Sequence, residues 1–167
     1  MRNSLRLALV GAVAAASFAG SAQAATTATG TASAEVLSSL TVTSTSDLQF
    51  GQIAVNTGGS VTVNADSTVS SSGSLVSTGT RAPAAFSITG TPNTSVLVSL
   101  PTTSVNLTRS GGTETMVLSG FNSNPNGAFQ LDSTGAASFN VGGTLAVASG
   151  QVAGAYSGTF QVSVEYQ

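Results

Sequence analysis

The 167-residue sequence contains no histidine, cysteine, lysine or tryptophan. Without histidine, cysteine or lysine, a serine has no ordinary general base, no thiolate can attack, and no imidazole or thiolate can bind a metal ion. The six carboxylates are scattered, and most lie in or beside predicted turns, where a solvated acid is expected. We therefore predict that the protein is not an enzyme and holds neither a cofactor nor a metal ion.

Positive charge is also scarce. After residue 24 only Arg81 and Arg109 are cationic, against six acids, so nucleic acid is excluded as a partner class. The lack of cysteine leaves stability to the core and the backbone hydrogen bonds. The lack of lysine removes the amine of an isopeptide bond, so any polymer of this chain is predicted to be non-covalent.

The first residues have the pattern of an export signal. Arg2 and Arg6 precede the apolar stretch Leu7–Ala19, and Ala22-Gln23-Ala24 offers a cleavage site of the small-x-small type. We predict a signal peptide over residues 1–24 and export to the periplasm, followed by a place on the cell surface or outside the cell. No later apolar run approaches the length of a transmembrane segment.

The remaining chain is patterned for strands. Its apolar residues come in short alternating runs, separated by glycine, proline and asparagine turns, and never at helical spacing for three turns. This predicts an all-β fold, a single antiparallel immunoglobulin-like β-sandwich of about nine or ten strands over residues 35–167. The Ser-rich segment Ser67–Thr80 is interpreted as a long loop or a weak edge strand.

The last fourteen residues alternate most clearly. Read as one extended strand, they place an apolar set on one face and a polar set on the other. The apolar face consists of Gly154, Tyr156, Gly158, Phe160, Val162, Val164 and Tyr166. This pattern predicts a terminal strand with a single buried face.

Three blocks carry a resemblance to a known family: Leu48–Ile53, Val141–Leu145 and Gly154–Tyr166. They resemble a secreted Gram-negative family catalogued as a domain of unknown function, which is similar to the Mat/Ecp-type common-pilus fimbrillins. The glycine fourteenth from the end and the penultimate tyrosine resemble the C-terminal strand of chaperone–usher pilus subunits. The resemblance implies an assembly strand, held in transit by a periplasmic chaperone and delivered to an outer-membrane usher; its matching residues are Gly154, Phe160, Val162, Val164 and Tyr166.

The resemblance also implies a sandwich that lacks one strand, which the N-terminal segment of the next subunit supplies. The Thr/Ala-rich extension 25–34 is the candidate donor, because its even positions are small and mostly apolar. These positions include Ala28, Gly30, Ala32 and Ala34. The other interpretation of this extension is a disordered leader between the cleavage site and the first strand.

Two functions follow from these observations. The first is a structural subunit of a surface fibre or pilus, which self-associates by non-covalent strand exchange. The alternative is a stand-alone secreted β-sandwich that binds glycan or protein. The sequence leaves both open.

Overall fold

A computed structural model describes residues 26–167. The predicted signal peptide lies outside these residues and stays a prediction. The chain divides into a unit that ends at Glu35 and a compact unit, Val36–Gln167. Of the first unit, residues 26–35 have no regular secondary structure and are exposed throughout.

The compact unit is all-β, and residues 26–167 contain no helix. Its eleven strands are β1 (Thr41–Ser46), β2 (Gln52–Val63), β3 (Val69–Thr78), β4 (Ala84–Thr89), β5 (Ser95–Ser99), β6 (Val105–Arg109), β7 (Thr115–Asn124), β8 (Ala128–Gln130), β9 (Ala136–Val147), β10 (Tyr156–Ser157) and β11 (Ser163–Tyr166). The predicted all-β fold class is confirmed, with eleven strands rather than nine or ten.

The strands form two sheets, and every pairing within them is antiparallel. The larger sheet has eight strands, six of them in the order β1-β4-β9-β7-β6-β10, with the β2–β3 hairpin attached through β2 to β9. The smaller sheet has the order β11-β5-β8. The alternating runs of the sequence account for strands such as β4, β5 and β9, which bury alternate side chains in the core.

The core consists of two clusters of buried apolar side chains, with Phe160 and Phe121 packed against both. The first cluster comprises Ala84, Phe86, Ile88, Val96, Val98, Leu131, Phe139 and Val141. The second comprises Phe50, Val61, Val63, Leu75, Leu118, Leu145 and Val147. These residues come from both sheets and from the connections after β1 and β8, so burial of this shared interior holds the sheets together.

Within segment 67–80, Val69–Thr78 form an edge strand, β3, which pairs with β2 from Val63↔Val69 to Gln52↔Thr78 with a shift of register between Val55 and Gly59. Main-chain hydrogen bonds do not require apolar side chains, so a serine-rich segment can still pair. Of the two interpretations left open by the sequence, the edge strand is therefore correct. Within residues 26–167, the structure has no helix that is long and apolar enough to span a membrane.

Candidate assembly groove

The C-terminal segment belongs to both sheets. Its first part, β10, pairs with β6 in the larger sheet, and its last part, β11, pairs with β5 in the smaller one. Residues 158–162 between them form no strand. The prediction of one continuous terminal strand is therefore wrong, because the two parts have different partners.

The predicted alternation of burial is seen from Thr159 to Gln167, whereas Gly154 and Gly158 of the predicted inward face are exposed. Phe160, Val162, Val164 and Tyr166 are half-buried and pack against the first core cluster, whereas the intervening residues are exposed. An extended chain alternates its side chains whether or not its backbone is paired, so the pattern continues through the unpaired residues. The structure thus places these four side chains inward.

Gly154 has a local role in the fold. Its φ of +154° is a conformation that L residues rarely adopt, and the side chain of Arg109 crosses the space that a Cβ would fill. A Cβ there would lie 2.8 Å from Cδ of Arg109. Arg109 is held in this position by Glu114, whose Oε2 is 2.7 Å from Nε. This glycine therefore lets an arginine pack over the chain just before β10.

Tyr166 connects the C-terminal strand to the start of the compact unit. Its hydroxyl accepts a hydrogen bond from the backbone N–H of Thr91 at 2.7 Å and donates one to the carbonyl of Ser38 at 2.9 Å. Ser38 N–H in turn donates to Oγ1 of Thr91 at 2.7 Å. Gly90 has no Cβ where this hydroxyl approaches. The compact unit thus begins at a fixed point beside the N-terminal end of β1.

A groove has two sides. One side is the C-terminal end of β1 and the connection that follows it, and the other side is the C-terminal segment. Its two adjoining parts measure about 650 and 560 Å³. They share the lining residues Leu48, Gln49, Phe50, Leu107 and Tyr156. The second part is lined by β1 residues Ser44 and Ser46 on one side and by β10 on the other. Since β1 and β10 end the six-strand path, the larger sheet curls until its two ends line one groove.

Both sides of this groove include backbone outside any strand. On one side Asp47, Leu48 and Phe50 lie outside the strands, and Gln49 forms an isolated bridge to Ala82. On the other side residues 158–162 are likewise outside the strands. Among the described residues β1 pairs only with β4, and β10 only with β6; the other edge of such a strand is a template for pairing with another extended chain. The floor consists of core side chains, which include Phe86, Leu118 and Leu145.

The acidic side chains of two turns have structural partners. Oδ1 of Asp132 accepts hydrogen bonds from the N–H and hydroxyl of Thr134 and from the N–H of Ala136. These bonds, that of the Thr134 hydroxyl above all, hold the pKa of Asp132 below its ordinary value. Asp66 bonds Thr68 in the same way, and its pKa is also lowered. Within residues 26–167 no cluster of three acidic, histidine or cysteine side chains could hold a metal ion.

The candidate donor residues are all exposed and lie in the first unit. Ala28, Gly30, Ala32 and Ala34 occupy chain without regular secondary structure. A Cβ built on Gly30 would meet no atom within 4 Å. Further along, Val36 is 93% exposed, more than any other large apolar side chain in the described residues.

The comparison with family models gives one match, to the domain of unknown function DUF4402, over residues 40–166. The chain belongs to this family. No curated protein and no solved structure matches it. The DUF4402 region contains every residue that lines the groove, whereas the candidate donor residues precede it.

The resemblance implies a sandwich with one strand missing, but the location of the groove was not predicted from the sequence. Its sides come from residues about 110 positions apart, and only the curl of the larger sheet brings them together. The three sequence blocks of the resemblance do include part of each side, in Leu48–Ile53 and Gly154–Tyr166. Sequence reasoning thus found the sides separately and missed the space between them.

Proposed function

We propose that this protein is the structural subunit of a surface fibre or pilus, in which subunits associate by non-covalent strand exchange. The N-terminal extension of one copy occupies the groove of the next. The observation that carries this proposal is the groove between β1 and β10, the two ends of one curled sheet. A single strand added there would lie between two unpaired strand edges, one of β1 and one of β10.

The groove suits an extended chain better than a compact ligand. Its sides carry free strand edges, and its floor is apolar core. Main-chain hydrogen bonds along the edges would provide affinity, and alternate side chains would provide register. An unfilled groove leaves ladder groups and apolar side chains open to solvent, which favours association.

The segment before β1 has the length and character of such a strand. Residues 26–39 have no regular secondary structure and are exposed, and Glu35 is their one charged residue. Because Ser38 is held in its own domain, the twelve residues 26–37 are available, and in extended conformation they span about 40 Å. The extension is therefore longer than a typical strand of five or six residues.

The positions of the N-terminal extension and of the groove give the assembly a direction. Tyr166 fixes Ser38 beside the N-terminal end of β1, while the groove begins beside Ser44 and Ser46 at the other end. An extension that fills the groove of another copy joins two different surfaces, which is a heterologous contact. Contacts of this type build open filaments when the rotation between successive subunits does not close into a ring.

The proposal includes export and assembly partners. A signal peptide at residues 1–24 directs the chain to the periplasm, where a chaperone covers the groove until an outer-membrane usher delivers the subunit to the surface. The fibre then lies outside the cell. This part depends on the sequence pattern of the first 24 residues and on the resemblance to pilus subunits.

The alternative function is a stand-alone secreted β-sandwich that binds glycan or protein. Glycan sites commonly present exposed aromatic platforms. Within residues 26–167 every phenylalanine and tyrosine is buried or half-buried. The hydroxyl groups of Tyr156 and Tyr166 are both engaged in hydrogen bonds inside the domain. This arrangement favours the fibre subunit.

The test compares two substitutions in the extension. Gly30→Pro removes an N–H that a paired strand needs, and Gly30→Ala keeps it without a clash. We expect Gly30→Pro to abolish fibres on cells while export and the circular dichroism spectrum stay normal, and Gly30→Ala to form fibres. Undiminished fibres with Gly30→Pro, or with a chain that begins at Ala34, would refute the proposal.

A further inference from the structure

We propose that Val36 is the apolar anchor of the exchanged strand, and that it binds in the first part of the neighbour's groove, the part of about 650 Å³. This inference rests on the proposed function, because it names the residue and the place through which the extension is held. It also extends the donor strand past Ala34. The strand then combines a run of small residues with one large apolar side chain at its C-terminal end.

Val36 contributes little to its own domain. Its side chain is 93% exposed, whereas the next most exposed large apolar side chain in the described residues, that of Val76, is 55% exposed. Because side chains alternate along an extended chain, Val36 shares the side of the small even-numbered residues of the extension, and Glu35 lies on the opposite side. The inward side of the donor strand thus ends in an exposed valine.

The first part of the groove has apolar surface that a neighbour can cover. Half-buried apolar side chains line it, namely those of Leu48, Ile53, Leu107 and Met116. A valine placed there removes apolar area of both copies from water, and it removes more than an alanine would. The described lining residues of this part are all uncharged, whereas the second part includes Asp47. An apolar anchor therefore fits the first part better.

The two sides of the groove run in opposite directions. Five successive antiparallel pairings separate β1 from β10, so these two strands are antiparallel to each other. The lining residues agree, because from the second part to the first one side runs from Ser44 to Ile53, and the other runs backwards from Phe160 to Gly154. A single inserted strand must be parallel to one side and antiparallel to the other.

The exit of the extension decides which direction gives a filament. Ser38 is held beside the N-terminal end of β1, which lies beyond the second part of the groove. In an open filament the incoming domain lies at the opposite end, beyond the first part. The donor strand is then antiparallel to β10, and its last residue before the domain, Val36, lies in the first part. The reverse direction would bring the exits of two copies together, so that they exchange strands reciprocally and close as a dimer.

The first test changes Val36 and its neighbours. Val36→Thr keeps the branched shape but adds a hydroxyl that burial leaves without a partner, so we expect about ten-fold fewer fibres on cells. Val36→Asp should abolish fibres, and Val36→Ile should retain them. Leu37→Thr and Glu35→Thr, on the opposite side, are the matched controls and should form fibres normally. Since Val36 is exposed in a single copy, its substitutions should leave urea unfolding of the monomer unchanged.

The second test locates the anchor. One tagged copy carries Val36→Cys, and a second copy carries Ala155→Cys in the first part of the groove or Thr159→Cys in the second; both acceptor positions are exposed. Four residues of extended chain span about 13 Å, and a disulfide needs Cα atoms within about 7 Å. We predict a disulfide between copies with Ala155→Cys and none with Thr159→Cys. The reverse result would overturn the placement of Val36.

The outcomes separate this inference from the proposed function. Normal fibres with Val36→Asp, together with loss of fibres in Gly30→Pro, would overturn the anchor and leave strand exchange standing. Undiminished fibres with Gly30→Pro would overturn both. Loss of fibres with Val36→Thr but not with Leu37→Thr, together with the disulfide to position 155, supports the anchor.

Discussion

The hydroxyl of Tyr166 gives a stability prediction whose magnitude follows from its contacts. Tyr166→Phe keeps the ring against the core but removes the bonds to the Thr91 N–H and the Ser38 carbonyl. Each such bond contributes about 0.5–1.5 kcal/mol net, and solvent can partly replace both at this half-exposed site. We expect a loss of about 1–2 kcal/mol of unfolding free energy, or roughly 4–8 °C in Tm.

The matched control is Tyr156→Phe. In the wild-type protein the Tyr156 hydroxyl also makes two hydrogen bonds, but to the Val152 carbonyl and the Gln151 side chain, away from the start of the domain. Urea unfolding gives the stability change, and amide hydrogen exchange locates it. Tyr166→Phe should accelerate exchange at Ser38 and Thr91, and Tyr156→Phe should not. Unchanged stability, or the same exchange pattern in both variants, would refute the role assigned to Tyr166.

Three further substitutions or conditions test the C-terminal segment and its turns. Val162→Asp puts a charge against the core and should cost about 2–4 kcal/mol of unfolding free energy, measured in urea. Gln161→Asp on the exposed side should change this free energy little. Equal effects of the two substitutions would mean that the inward face is misassigned. Gly154→Ala should cost about 1–3 kcal/mol because of its φ and its contact with Arg109, and a neutral result in thermal unfolding would contradict that explanation. Because hydrogen bonds lower the pKa of Asp132 in the folded state, its contribution to stability is present above about pH 4 and is lost as the pH falls through the lower folded pKa. Urea unfolding from pH 6 to pH 2 should show this loss, and Asp132→Asn should remove part of the pH dependence.

Burial was predictable from the sequence where it depends on local alternation. The inward placement of Phe160, Val162 and Val164 follows from the two-residue period alone. The change of sheet between β10 and β11 does not, because it depends on β6 and β5, which are more than forty residues away in the chain. Sequence alternation identifies the face of a strand but not its partner.

Strand β3 is the opposite case, a strand that the alternation of apolar residues does not reveal. Its serine-rich sequence has little apolar periodicity, and pairing with β2 through the backbone makes it a strand. The groove has no sequence signal of its own, since it is the space between β1 and β10 after the larger sheet curls. Features made by the arrangement of distant strands require the structure.

The most direct test of strand exchange uses the lack of cysteine, because any introduced pair reacts without background. One tagged copy carries cysteine at Ala28, Ala32 or Ala34, and a second, differently tagged copy carries Ser157→Cys beside the groove. A disulfide forms only when the two Cα atoms come within about 7 Å. We predict a disulfide between copies for at least one pair, and none with Ser74→Cys on β3, which does not line the groove. Absence of any disulfide between copies for all three pairs, or a disulfide with Ser74→Cys as readily as with Ser157→Cys, would contradict the account.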